Sequence, residues 1–298
     1  MINYFKQRLW DSQWSVAIRP HKETDSFEHP MTFHVLKNTW RYWCADPFVI
    51  DHEGKSYVFM ELMDRLTSKG CIGYRVIENG KVGPIRVCLN PPFHMSYPLL
   101  FKQGEDIYMM PECYESKKLT IYKATRFPDV WEPVQELLEG QLVCDTNYLV
   151  HNGRAYLLTM PLRGTPFHYD TLELYVRGED GNWEPCSVNP MVPGAEVARN
   201  GGHFFIHEGQ LIRPSQNCGT SYGENLVLNR VLSLSPDEYR EEIWKKITVS
   251  DIRTDAGVFD GIHTYNASET YDVIDLRQQS AFQPALGLGL ICNKLRRK

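Results

Sequence analysis

A chain of 298 residues with 42% apolar and 23% charged residues has the ordinary balance of a protein that buries a substantial core, which excludes a disordered polypeptide. Its formal charge of -5 gives no reason to expect a nucleic-acid or anionic-membrane partner, either of which needs a basic face. The first ten residues show no apolar run behind a basic start and no stretch reaches membrane-spanning length, so a cytoplasmic protein without signal peptide or span is expected. Eight scattered cysteines without a CxxC pair fit reduced thiols.

In chain order, the apolar segments 14–20 and 32–36 come first, as strands without a hairpin of their own. A hairpin over 46–61 follows, two apolar runs joined by a polar turn at Gly54. The same hairpin returns over 96–112 around Gly104, over 145–160 around Gly153 and over 201–216 around Gly209. A fifth copy over 260–275 has Ser268 and Glu269 near the turn in place of glycine. Outer strands repeat as well: 119–123 and 172–176 are each followed by Trp-Glu-Pro, at Trp131 and Trp183. The fourth unit has a longer outer strand over 225–234, and a short helix is predicted over 236–244.

A period near 50 with about four short strands per unit predicts an all-β fold, one five-bladed β-propeller domain over residues 1–298. The fifth hairpin is followed by one further strand at most, over 282–292, and then by the basic tail Lys294, Arg296, Arg297 and Lys298. The N-terminal strands are therefore expected to complete the last blade and close the ring, which removes free sheet edges. Parallel-sheet folds need helices between strands, and the sequence has none long enough. No GxGxxG, P-loop, GxSxG or HExxH pattern occurs.

In a propeller the first strand of each blade lines the channel, so residues at equal offsets from the turns converge. Eight residues before the turn stand Asp46, Ser96, Asp145, Gly201 and Asp260. Just past the second strand stand Glu61, Glu112, Gln216 and Asp275, with Met160 the exception. A carboxylate-rich funnel results, and carboxylates held close together have their proton affinities pushed apart, the condition for one acid and one base. Arg199, His203 and Arg213 surround this ring, with Arg213 preferred over Arg199 as a substrate contact because it ends an inner strand, or else paired with a neighbouring Asp or Glu to hold the funnel. His263 is placed in the channel as a donor to substrate, a water-mediated cation contact or a bridge between blades, and His94 and Tyr97 at the rim. Trp40, Tyr42 and Trp43 precede Asp46 and offer an aromatic platform for a sugar face or for blade packing. The isolated histidines and cysteines give no transition-metal set, and no cofactor is indicated beyond the option of a channel-bound cation.

Ala45-Asp46-Pro47-Phe48 resembles the first-blade motif of five-bladed glycoside hydrolases, the arabinanase and xylosidase group and the invertase and levansucrase group. That resemblance implies a first-blade Asp as base or nucleophile, a second-blade Asp that tunes the acid, and a third-blade Glu as proton donor. Asp46 matches the first place and Asp145 occupies the third as Asp rather than Glu. Ser96 stands at the second, unless Glu112 substitutes. Over nearly the whole chain, Trp43-Cys-Ala-Asp-Pro-Phe48, Ser96-Tyr-Pro98, Met110-Pro-Glu112, Cys144-Asp-Thr-Asn147 and His263-Thr-Tyr-Asn266 resemble a second group. This is the propeller domain at the N-terminus of plant glucosamine inositolphosphorylceramide transferases and in bacterial relatives, some joined to formyltransferase-like domains. The leading expectation is a glycan-active enzyme with Asp46 as base or nucleophile and Asp145 or Glu112 as acid, and a carbohydrate or glycoconjugate as its partner. The alternatives are a non-catalytic sugar-binding module and a sugar-transferring component of glycan or glycolipid synthesis.

Overall fold

The computed structural model describes residues 10–22, 27–28, 30–164 and 169–282. The chain begins with β1 (Trp10–Pro20) and β2 (Met31–Val35). The first full blade is β3 (Tyr42–His52), β4 (Lys55–Asp64) and β5 (Lys69–Glu78), with the short β6 (Lys81–Val82) and β7 (Arg86–Leu89) both on β5. The second is β8 (Ser96–Gln103), β9 (Asp106–Glu112), β10 (Leu119–Arg126) and β11 (Val130–Leu137). The third is β12 (Val143–His151), β13 (Arg154–Pro161), β14 (Glu173–Arg177) and β15 (Trp183–Pro185). In the fourth, β16 (Arg199–Asn200) and β17 (Phe205–His207) share the inner edge of β18 (Gln210–Gln216), followed by β19 (Leu226–Ser235) and β20 (Glu238–Ile247).

The fifth blade is assembled from both parts of the chain. β21 (Ile252–Thr254), β22 (Tyr265–Ala267) and β23 (Tyr271–Phe282) join β1 and β2 in the order β21-β2-β1-β23-β22. β1 and β23 pair along their length, from Trp10 opposite Phe282 to Pro20 opposite Tyr271. The expected closure by N-terminal strands is thus observed. Of the strand expected over 282–292, only Phe282 lies among the described residues, and the basic tail lies outside them.

The sequence expectation of a helix over 236–244 is not met, because β20 runs through it. Tyr239 and Glu241 are half-buried while Glu238, Arg240 and Glu242 face out, a period of two rather than 3.6. β19 satisfies the backbone of this segment, and Arg230 and Glu242 pair across the two strands at 2.8 Å.

The core lies mostly between blades. Trp131 of the first Trp-Glu-Pro copy meets Phe59 of the neighbouring blade edge-on at 5.6 Å, whereas Trp183 of the second meets Tyr148 of its own blade at 6.3 Å. Cys44, Cys71, Cys88, Cys113, Cys144, Cys186 and Cys218 are free thiols.

One local irregularity recurs and places the site. The pairing of the inner hairpin skips between Ala45 and Phe48, between Ser96 and Leu99, and between Cys144 and Asn147. Each skip is a β-bulge, and its first residue has left-handed backbone: Asp46 at φ 48°, Tyr97 at φ 44° and Asp145 at φ 47°. Such bulges re-aim a side chain and hold strain that surrounding structure must support.

Candidate functional site

At one end of the channel the blades enclose a pocket of about 390 Å³. Asp46, Glu61, Glu112, His94, Arg199 and His263 contribute its polar lining, and Trp14, Trp43 and Tyr222 aromatic surface. Glu61 and Glu112 reach it because they pair with Ala45 and Ser96, immediately before the bulges of their blades.

Asp46 is nearly fully buried. Its Oδ2 accepts the Tyr97 N–H at 3.2 Å and its Oδ1 accepts the Thr264 hydroxyl at 3.1 Å. Burial pushes its carboxyl up to about 8, with His263 opposing the rise and Asp145 and Glu61 adding to it. Glu112 accepts the Ser96 hydroxyl and the Tyr114 N–H, each at 3.0 Å. Burial, then the charge of Asp145, pushes Glu112 up to about 7.

Glu112 therefore keeps a proton in the native state across the interval from its ordinary 4.5 to about 7. Native stability falls as pH rises through that interval and stays lower above it, by on the order of 1–3 kcal/mol. Glu112→Gln preserves both hydrogen bonds, since its carbonyl accepts from Tyr114 and its amide donates to Ser96. The variant should melt with wild type at pH 4 and several degrees above it at pH 8. Melting curves at the two pH values test this, and a difference independent of pH would count against it.

His263 is fixed between two aspartates. Its Nδ1 lies 2.7 Å from Asp275 Oδ2, its Nε2 lies 3.8 Å from Asp46 Oδ1, and Trp14 stacks on its ring at 3.7 Å. Burial lowers its basicity, but Asp275 outweighs that and raises it overall. Asp46, His263 and Asp275 offer three ligand atoms within 4.8 Å of one another, an arrangement a cation could use. They fit one poorly. Asp275 Oδ2 already accepts from His263 and from the Asp46 N–H at 2.9 Å, and Oδ1 accepts the N–H groups of His263 and Thr264 at 3.2 and 3.0 Å.

Several residues expected in the funnel stand elsewhere. Asp145 does not line the pocket: it is 1% exposed, and its Oδ2 accepts from Arg199 Nε at 2.6 Å and Gln216 Nε2 at 2.8 Å. Gln216 is fully buried and serves that contact and the Asn200 carbonyl. Arg213, preferred over Arg199 for the ligand, is wholly internal and bonded to Glu241, Asn200 and Val197. Arg199 is the arginine at the pocket. Tyr97 is also internal, its hydroxyl bonded to the N–H and carbonyl of Gly202 at 2.9 and 3.0 Å. Asp260 lies off the pocket and pairs with Arg277 at 2.9 Å.

The offset rule slipped for physical reasons. In the first, third and fourth blades the turn glycine is the second of two residues between paired strand ends, as Glu53-Gly54, Asn152-Gly153 and Glu208-Gly209. In the second blade it is the first, Gly104-Glu105, so counting back lands on Ser96 while Tyr97 holds the bulge. The fifth blade turns over four residues between Ala267 and Asp272, which displaces Asp260 from the ring. Trp14 and Tyr222 were missed. Trp14 belongs to the closing strand and Tyr222 to the loop after β18, and neither lies in the repeated hairpin.

A family model described as glucosamine inositolphosphorylceramide transferase 1, N-terminal, matches residues 36–277. The chain belongs to this family. Glucosamine inositolphosphorylceramide transferase 1 of Arabidopsis thaliana is 34% identical over 203 residues, 66% of this chain and 26% of the relative. The protein of that name from Oryza sativa subsp. indica is 32% identical over 203 residues, 66% of this chain and 27% of the relative. The chain thus spans about a quarter of the length of the curated relatives it matches. Among solved structures, an α-L-arabinofuranosidase from Podospora anserina in complex with cellotriose aligns with a TM-score of 0.56 at 8% identity, over 92% of this chain and 98% of that one. An exo-1,5-α-L-arabinanase from a bovine ruminal metagenomic library aligns at 0.51 and 14% identity, over 80% and 95%. At these identities the likeness is one of fold. In this member of the glucosamine inositolphosphorylceramide transferase N-terminal family, the second-blade place of the hydrolase pattern holds Tyr97 and the third an aspartate tied to Arg199.

Proposed function

We propose that the chain is a sugar-handling component of glycoconjugate synthesis, taking one sugar unit of a glycoconjugate in the channel-mouth pocket. The observation that carries this reading is the meeting of Asp46, Glu61 and Glu112 with Trp43 and Trp14 around one pocket of about 390 Å³. Buried carboxylates are strong acceptors for sugar hydroxyls, and the partly exposed indole of Trp43 suits the apolar face of a pyranose, while Trp14, stacked on His263, backs the pocket wall. The curated relatives are named glucosamine inositolphosphorylceramide transferases, and a transferase name favours assembly over degradation. The placement of Asp145 beneath the floor, ion-paired, also argues against the three-acid hydrolase scheme. A second reading, glycosidic bond hydrolysis, draws on the raised proton affinities of Asp46 and Glu112 on adjacent blades.

Calorimetric titration with a panel of hexoses and amino sugars, followed by long incubation with oligosaccharides, separates the readings. Binding without product is expected, and Asp46→Ala should weaken it about tenfold or more by removing a buried acceptor. Release of monosaccharide that Asp46→Ala abolishes would establish hydrolysis instead. Failure of every sugar to bind would remove both.

A further inference from the structure

The loops that enter β3, β16 and β22 lie at the pocket end of the channel, because Asp46 in β3, Arg199 at the start of β16 and His263 just before β22 all line the pocket. Trp40, Val192 and Val258 stand on these loops, outside any strand, and are 69, 68 and 84% exposed. Trp40, expected beside Trp43 as an aromatic platform, is not part of the pocket lining. Tyr169 and Tyr222 on the pocket rim are exposed as well. Singly exposed apolar residues are ordinary on a protein surface, but among the described residues every exposed Trp, Tyr and Phe, namely Trp40, Tyr169 and Tyr222, is at this one end. The opposite end, where the hairpins turn, exposes the aliphatic Val150 and Ile206. The described chain also enters and leaves at the mouth, where Trp10 of β1 pairs with Phe282 of β23. The sequence on either side is apolar and basic: residues 286–291 read Leu-Gly-Leu-Gly-Leu-Ile and are followed by Lys294, Arg296, Arg297 and Lys298, and residues 2–9 hold Ile, Tyr, Phe and Leu with Lys6 and Arg8.

We propose that the mouth face docks on a lipid bilayer carrying anionic headgroups: the exposed side chains of the mouth loops enter the headgroup layer, and the basic residues of 294–298 hold the anionic lipid. Trp and Tyr suit that boundary because each has an apolar body and a polar edge. Loops that project separately from one face offer points to a fluid layer, whereas a protein partner needs one continuous packed patch. The charge has to come from the tail. The chain as a whole carries -5, and Arg41, Arg163 and Lys246 at the mouth are each paired with an acid. A few inserted side chains or one basic segment alone give marginal binding, and the two together make it firm. Salt screens the second contribution and leaves the first. Docked in this way, the pocket opens at headgroup depth. The proposal goes beyond the sugar-handling reading and does not depend on it, since plain phospholipid suffices to test it.

The test is co-sedimentation of the full chain with vesicles of phosphatidylcholine alone and of phosphatidylcholine with about one-third phosphatidylserine, at low and high salt. The expected result is binding about tenfold or more tighter to the phosphatidylserine vesicles at low salt, with the preference lost at high salt. The variant Lys294→Gln, Arg296→Gln, Arg297→Gln, Lys298→Gln should lose the preference. Trp40→Ser with Val258→Ser should weaken binding to both kinds of vesicle about tenfold while melting with wild type, and the far-end control Val150→Ser with Ile206→Ser should leave binding unchanged. Absence of vesicle binding would overturn the proposal. So would an equal loss in the far-end control, or full binding in the Trp40 and Val258 variant, which would assign the contact to the tail alone. Sedimentation velocity without vesicles covers the remaining occupant: a dimer that dissociates in the Trp40 and Val258 variant would assign the mouth face to a second copy of the chain and overturn the bilayer.

Discussion

Gly202→Ala is expected to lower stability by on the order of 4 kcal/mol or to prevent folding. Gly202 has φ 141°, a conformation side-chain-bearing residues rarely adopt, and a Cβ placed there would lie 1.9 Å from the Tyr265 carbonyl oxygen. That oxygen belongs to backbone of the fifth blade, so relief requires moving one blade away from another. The displacement would also disturb Tyr97, whose hydroxyl bonds Gly202 across the channel, and Asn147, which donates to the Gly202 carbonyl at 2.9 Å. Backbone strain and steric conflict therefore add to loss of cross-channel contacts. Denaturant unfolding measures the effect, and a variant within 1 kcal/mol of wild type would show that the fourth and fifth blades do not pack this closely.

Arg213→Met should cost about 3–5 kcal/mol, because it strands a buried anion. Arg213 is fully buried, its Nε donates to Glu241 at 2.8 Å, its Nη1 to Asn200 Oδ1 at 2.9 Å and its Nη2 to the Val197 carbonyl at 2.7 Å. Glu241 is on β20 and Asn200 on β16, so one guanidinium ties the inner and outer strands of the fourth blade. Removing it takes the donor from Glu241 Oε1, Asn200 Oδ1 and the Val197 carbonyl, while Glu241 Oε2 keeps the Tyr239 hydroxyl at 2.6 Å. The double variant Arg213→Met with Glu241→Met removes the orphaned charge and should recover much of the loss. Unfolding of the two single variants and the double gives the coupling, and a single Arg213→Met loss below 1 kcal/mol would contradict the role assigned here. Asn200 Nδ2 donates to the Asp145 carbonyl at 2.7 Å, so this structural arginine supports the site without touching the pocket.

The distinction between Arg199 and Arg213 shows where a linear reading stops. Both are arginines beside small polar residues in the fourth unit, Arg199 opening β16 and Arg213 in the middle of β18. The Arg213 side chain reaches past β19 to Glu241 of β20, whose strand character was hidden by a helix-like acidic composition. With β20 read as helix, Glu241 could not be named as the partner, and of the two roles open to Arg213, ligand contact or pairing with an acid, the structure shows the pairing. The one-residue error between Ser96 and Tyr97 has a similar origin, because the turn glycine marks a loop without saying which of its two positions it fills.

What the amino-acid order determined by itself is the number of blades, their hairpins and the convergence of Asp46, Glu61 and Glu112. These follow from short-range alternation, turn chemistry and a repeat near 50 residues, all local in the chain. Only the tertiary structure decided which polar groups face the pocket and which neutralise one another below it. Those contacts join residues far apart in sequence, as Arg199 with Asp145, His263 with Asp275 and Trp14 with His263. Whether a charge is left for a ligand depends on what it meets across the ring, and no spacing along the chain encodes that meeting.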